Sequence, residues 1–218
     1  MDTLAGRAVA RSARLVVGIA DVVPKLIVER LLAPALRDPQ LRLVCYEDQH
    51  ERLLSQLALY ELDTVLTDTP VMPSSSFRGF SRLLGESAVS LFAKPKLAER
   101  LRRGFPKSLE DVPLLLPIEH TSLRLALTRW FDTHGIRPRI RGEFQDSALL
   151  MVFGRAGEGI FAAPTVIAEE IVAQHRLAVV AELEDVRERF YAVTAERKLT
   201  HPGVRAITES ARTQLFRD

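Results

Sequence analysis

Four acidic residues stand where strand-like runs give way to loops: Asp21 after LVVGIA, Asp68 after LDTVLT, Glu119 after LLLPI, and Asp146 after RGEFQ. Polar neighbours surround them: Thr67 and Thr69, then His120, Thr121 and Ser122, then Gln145, and Pro164 with Thr165 after GIFAA. With Ala20 and Val22 beside Asp21, these residues form one candidate binding set. Carboxylates at such positions repel an anion, whereas a hard cation such as sodium takes several oxygen ligands of this kind. The set points to a cation-responsive cleft, with Asp21 and Asp68 as the cation ligands. Each acid also has a structural reading, because Asp at a helix start commonly caps it. Only convergence on one cleft separates the two. His120 titrates near neutrality if solvated and would couple sensing to pH. His50, His134, His175 and His201 have no metal-ligand spacing.

Catalytic patterns are missing. There is no HExxH and no GxSxG, and Ser74, Ser75 and Ser76 have no base in their sequence context. We expect no enzyme and no cofactor. Gly154, Gly157 and Gly159 follow a helical run and precede the apolar run from Ile160, the reverse of the strand–loop–helix order of a phosphate loop. They predict a helix C-cap and a tight turn. Arg137, Arg139 and Arg141 alternate, as on one solvated face of a strand.

The elements that must position these residues alternate between strand and helix. LVVGIA is a continuous apolar run, as in a strand covered on both faces. LRLVCYE and LDTVLT predict two further strands, with a helix between them that begins at a capping-box-like Asp48 and Glu51. A Pro- and Ser-rich loop spans 67–79, SAVSLFA at 87–93 reads as a strand, and 94–107 reads as a basic surface segment. A second block follows: a strand at 114–116, a helix at 123–133, a strand at 139–144, a helix from Ser147 capped by Asp146, and the strand before Pro164. Two separate strands are expected at 178–183 and 189–195, and a last helix at 202–216. The helices at 24–36 and 123–133 carry more apolar surface than one core-facing stripe needs, which suggests burial against a second subunit. Two α/β blocks joined by crossing strands make two Rossmann-like lobes around a central cleft.

Composition agrees with this picture. Of 218 residues, 47% are hydrophobic and 27% charged, enough for one or two real cores. A single cysteine, Cys45, excludes an internal disulfide and fits a reducing cytoplasm. The start carries Arg7, Arg11 and Arg14 without an apolar signal-peptide core, and no apolar run approaches the roughly 18 residues that span a bilayer. A net charge of +2 is too small for a stand-alone nucleic-acid binder.

Three stretches carry a family resemblance: LVVGIADVVPKLIVERLL, HERLLSQLALYELDTVLTDTP, and LRLALTRWFDTHGIRPRIRGEFQDSALLMVFGRAGEGIFAAP. From about Arg14 onward the chain resembles the effector-binding domain of LysR-type transcriptional regulators, most closely their sodium-responsive activators. The resemblance implies a type II periplasmic-binding-protein fold, with lobe I from 14–92 and 196–218 and lobe II from 93–195. It also implies a small effector, a sodium ion or a small organic molecule, and a side-by-side antiparallel homodimer that could assemble into a tetramer. The family's usual effector is a small carboxylate, which the acids listed above disfavour. Residues 1–13 are expected to be the tail of a linker helix or a cut end. DNA would then be reached only through an N-terminal domain outside this chain. Tyr60 and Glu61 stand where many family members place a glycine, and we expect them to lengthen the preceding helix. The alternative is an exported solute-binding protein of the same fold.

Overall fold

The computed structural model describes residues 14–72 and 77–216. The expected linker-helix tail at 1–13 and Ser74, Ser75 and Ser76 lie outside the described residues. The apolar run near the start is β1 (Arg14–Ala20), buried at every position but the first. It is buried because parallel strands flank it on both sides, β2 (Arg42–Asp48) and β3 (Thr64–Thr67). Helices α1 (Lys25–Leu32) and α2 (His50–Ala58) connect these strands, and their Ile27, Leu31, Leu53 and Leu57 share a core with β1. This is the right-handed βαβ logic of an open sheet, which leaves its loops at the strands' carboxyl ends.

Two long strands tie the molecule together. β4 (Phe80–Ala93) and β8 (Ala178–Thr194) pair antiparallel from Phe80 opposite Thr194 to Ala93 opposite Ala178, with three register irregularities that bend the pair. With β7 (Phe161–Pro164) they complete a six-stranded sheet of order β2-β1-β3-β8-β4-β7. β5 (Pro113–Pro117) and β6 (Arg139–Phe144) form a second, parallel pair, joined to the first sheet by a bridge between Leu114 and Ile160. The remaining helices are α3 (Pro95–Arg102), α4 (Ser122–His134), α5 (Ser147–Ala156), α6 (Ala168–His175) and α7 (Pro202–Ser210), the last running into a π-helical turn over Ala211–Leu215.

The apolar side chains gather in two clusters. One is built on β1, α1, α2 and α7, the other on β5, α3 and α4. β4 and β8 lend residues to both: Phe92 and Phe190 to the first, Leu91 and Leu183 to the second. The lobe limits expected at 92/93 and 195/196 therefore fall at the ends of shared strands.

Several sequence expectations are corrected. The strands expected at 178–183 and 189–195 belong to one strand, because β4 pairs with both halves, Val89 opposite Leu183 and Ala88 opposite Arg187, while Glu184, Asp185 and Val186 bulge out between them with Asp185 at a φ of 61°. For the same reason the strand expected at 87–93 begins at Phe80. The basic segment at 94–107 contains α3, started by Pro95 in the first turn, where a missing N–H costs nothing. The Asp48–Glu51 capping box does not form, since Asp48 is still in β2 opposite Ala20 and its Oδ1 accepts from Gln49 N–H instead. α2 ends at Ala58, and Tyr60 takes a left-handed φ of 57°, so the residue at the family's glycine position turns the chain rather than extending the helix. Gly154 lies inside α5, where an added Cβ would sit 2.4 Å from the Phe161 ring. Gly157, at φ 91°, supplies the C-cap.

Much of the apolar surface of the two helices is spent on the chain's own core. On α4, Leu123, Leu127, Trp130 and Phe131 are covered by the chain's own core, with Trp130 stacked on Phe105 at 5.9 Å. On α1, Ile27, Val28, Leu31 and Leu32 are all buried. Exposed apolar side chains remain at Leu36 after α1 and Leu125 on α4, and three more, Leu149, Val152 and Phe153, gather on α5, with Ile140 exposed on β6.

Candidate functional site

Loops from both blocks meet at one cleft. Its outer part, about 340 Å³ and open to solvent, is lined by Ala20, Asp21 and Val22, by Gln49, His50 and Glu51 at the start of α2, by Asp68 and Thr69, and by Ile118, Glu119, His120, Thr121 and Gln145. Most of the sequence-derived set thus shares one wall-to-wall space.

The cleft is bridged by hydrogen bonds between the blocks. Gln145 Nε2 donates to Asp21 Oδ2 at 2.5 Å, and Ser147 Oγ donates to the Val23 carbonyl at 3.3 Å. The Ser122 backbone N–H donates to Asp68 Oδ2 at 3.3 Å. Thr69 Oγ1 donates to Asp68 Oδ1 at 3.0 Å, which leaves it to accept from the Ser122 hydroxyl at 3.2 Å. Lys25 adds ion pairs to Glu47 (2.9 Å) and to Asp146 across the gap (3.4 Å). The part-exposed Lys25 ion pairs are individually weak, about 0–1 kcal/mol.

Not every candidate faces the space. Asp146 caps α5, accepting from Leu149 N–H at 2.6 Å, as its position before Ser147 predicts. The Thr165 hydroxyl is spent on Ser90 at 2.8 Å, Ser122 on the bridge just described, and Thr67 on His50 Nδ1 at 2.9 Å. Burial pushes the His50 imidazole below its ordinary pKa, against the opposing pull of Glu51 and Asp68. His120 lies on the lining with a left-handed φ of 71°. Among the described residues, no group of three or more His, Cys, Asp or Glu is arranged to hold a metal.

Behind the outer cleft lies a smaller, more enclosed pocket of about 30 Å³, which shares Val22, Asp68, Thr121 and Gln145 with it. Its walls are mainly apolar, with Phe144, Leu150, Met151, Ala162, Ala163 and Pro164 among them. Glu188 stands in that wall. It is 3% exposed, and its Oε2 has no hydrogen-bond partner. Burial, and then the negative Asp68, raises its carboxyl from 4.5 to about 8. Among the described residues neither compartment is lined by Lys or Arg. Arg124, on α4, is paired with Glu143 at 2.6 Å and bonded to the Pro117 carbonyl. The charged side chains on the outer lining are thus carboxylates, Asp21, Glu51, Asp68 and Glu119.

Glu188 escaped the sequence reading, although a signal was there. Val186, Glu188 and Phe190 alternate, so the acid shares the buried face of its strand with two apolar residues. A carboxyl in that register either has a partner or waits for one. Gln49, His50 and Glu51 were also missed. They follow a parallel strand's carboxyl end, as Asp21 and Asp68 do.

With this geometry in hand, the class is clear: a two-lobed α/β ligand-binding domain with its site between the lobes. The sequence matches the LysR substrate binding domain over residues 10–215, and the chain belongs to that family. It is 34% identical over 201 residues to the transcriptional activator protein NhaR of Escherichia coli K12, covering 92% of this chain, and equally to NhaR of Shigella flexneri. The chain spans 66% of the length of those relatives. The fold is shared with the reduced regulatory domain of OxyR2 from Vibrio vulnificus (TM-score 0.68, 18% identity, 92% of this chain and 95% of that one). It is also shared with a putative LysR family regulator from Pseudomonas aeruginosa (TM-score 0.72, 17% identity, 94% and 72%). No helix among the described residues is long and apolar enough to cross a membrane.

Proposed function

We propose that this domain senses a small cation in the cleft and passes the change in lobe closure to a DNA-binding part of a cytoplasmic transcriptional activator, without catalysing a reaction. The observation that carries the reading is the negative cleft: Asp21, Glu51, Asp68 and Glu119 line the outer part, with no Lys or Arg beside them. An anionic effector finds no counter-charge there, whereas a cation such as sodium finds oxygen atoms, with Asp21 and Asp68 as the first ligands it would meet. Ala20 and Val22 add backbone atoms to this wall. Glu119, His120 and Thr121 carry the second lobe's side, with Ser122 behind them on the bridge to Asp68. A ligand can shift closure only by binding one state better than the other. The bridges of Gln145 to Asp21 and Ser122 to Asp68 are what it must replace or tighten.

Thermal unfolding in sodium, lithium and potassium chlorides at equal ionic strength tests this. A selective ligand at about a hundredfold over its Kd stabilises by roughly 2.7 kcal/mol, a rise of several degrees in Tm. We expect that rise in sodium or lithium, and its loss on Asp21→Asn or Asp68→Asn. Equal unfolding in all three salts would refute cation sensing in the outer cleft.

The uncovered apolar residues on α5 and β6 support a homodimer in which this face meets a second copy. Val152→Asp with Phe153→Glu is expected to turn a sedimenting dimer into a monomer, while Leu125→Glu on exposed α4 leaves it paired. If both variants sediment as the parent does, the interface lies elsewhere.

A further inference from the structure

The inner pocket differs from the outer cleft in what it can hold. Its walls are mainly apolar, and among them stands the buried Glu188, whose Oε2 has no hydrogen-bond partner. A buried acceptor without a donor costs about 1–3 kcal/mol, so a guest that brings an N–H is favoured there. An alkali ion is poorly served, because hard cations take about six or more oxygens. Several of the other oxygens on the lining are already engaged: Asp68 Oδ1 by Thr69, Asp68 Oδ2 by the Ser122 N–H, and Thr121 Oγ1 by the Arg124 N–H. The Ser147 hydroxyl donates to the Val23 carbonyl. An ammonium group needs a few acceptors rather than a full shell, and a short alkyl chain matches walls such as Leu150 and Met151.

We propose that the inner pocket is the binding place of a small primary alkylammonium ion, its N–H groups on the Glu188 carboxylate and facing Asp68, and its alkyl chain against Leu150 and Met151. This rests on the reading of the outer cleft as the effector's entrance, through which the ion passes between Asp68 and Gln145. It assigns Glu188 the counter-charge and makes an organic cation, rather than a bare metal ion, the occupant of the enclosed space.

Calorimetric titration of the full chain with ethylammonium chloride, in an amine-free buffer at about pH 9 where the carboxyl is ionised, tests the proposal. Binding is expected to weaken by about tenfold or more in Glu188→Gln, the loss of one charge-assisted hydrogen bond. Glu182→Gln, which removes the same charge from an exposed position on the same strand, should leave it unchanged. Sodium chloride should not displace the ion. Magnetisation transfer from the ethyl group to the Met151 methyl in the unmodified chain gives a second readout that needs no variant. Equal binding by Glu188→Gln, displacement by sodium, or no transfer to Met151 at saturation would each overturn the assignment. Sodium-selective stabilisation without ethylammonium binding would sink this inference alone and leave cation sensing in the outer cleft standing.

Discussion

Glu188→Gln is expected to make the protein more stable than its parent at alkaline pH and nearly equal to it in mild acid. The carboxyl is raised from 4.5 to about 8, by burial first and by Asp68 second. Between those values the unfolded chain has released the proton while the folded chain still holds it. Stability is then present in full below the unfolded value and falls as pH rises through the folded one. The interval corresponds to roughly 5 kcal/mol, an order of magnitude for one fully buried group. The amide copies the shape of the neutral acid and cannot ionise. The stability difference between variant and parent should therefore grow by several kcal/mol from about pH 5 to about pH 9. Urea titrations of both proteins at a series of pH values read it directly. A difference that stays flat would mean that Glu188 is already ionised with a partner at neutral pH.

Phe161→Ala should cost about 3–5 kcal/mol, as for other large aromatic truncations in close-packed cores. The ring is fully buried and stacks on Phe92 with centroids 5.6 Å apart. Its edge lies where Gly154 lacks a side chain, so close that a Cβ there would stand 2.4 Å from the ring. Helix α5 can approach β7 only through that glycine, and β7 continues directly into Ala162, Ala163 and Pro164 of the inner pocket. Truncation removes the wedge that holds helix and strand apart at the correct distance. Denaturant unfolding with an unchanged m-value would show the loss as a pure stability effect. A cost below about 1 kcal/mol would mean that α5 collapses onto the strand and fills the space.

Local patterns were legible where a residue's fate depends on its neighbours in sequence. The run LVVGIA announced a two-faced strand, Asp146 before Ser147 a capped helix, and Gly157 a left-handed C-cap, and each is found as read. Asp21, Asp68, Glu119 and Gln145 could be placed on one cleft because strand–helix alternation fixes which loops lie at carboxyl ends. The capping box at Asp48 failed because pairing with Ala20 holds Asp48 in its strand, and local sequence does not register that competition.

By itself, then, the sequence determined the fold class, the family and the acidic character of the cleft, since periodicity, turn residues and charge all reside in the chain. The tertiary structure alone decided three things. It joined the 178–194 segment into one strand across both cores. It buried Trp130 and Phe131 of α4 while leaving Leu149, Val152 and Phe153 of α5 exposed. It also buried Glu188 without a partner behind Asp68. Each depends on what another, distant segment contributes: a pairing edge, an apolar face, or a missing donor. A carboxyl's environment is made by neighbours in space, and no spacing in the sequence specifies those.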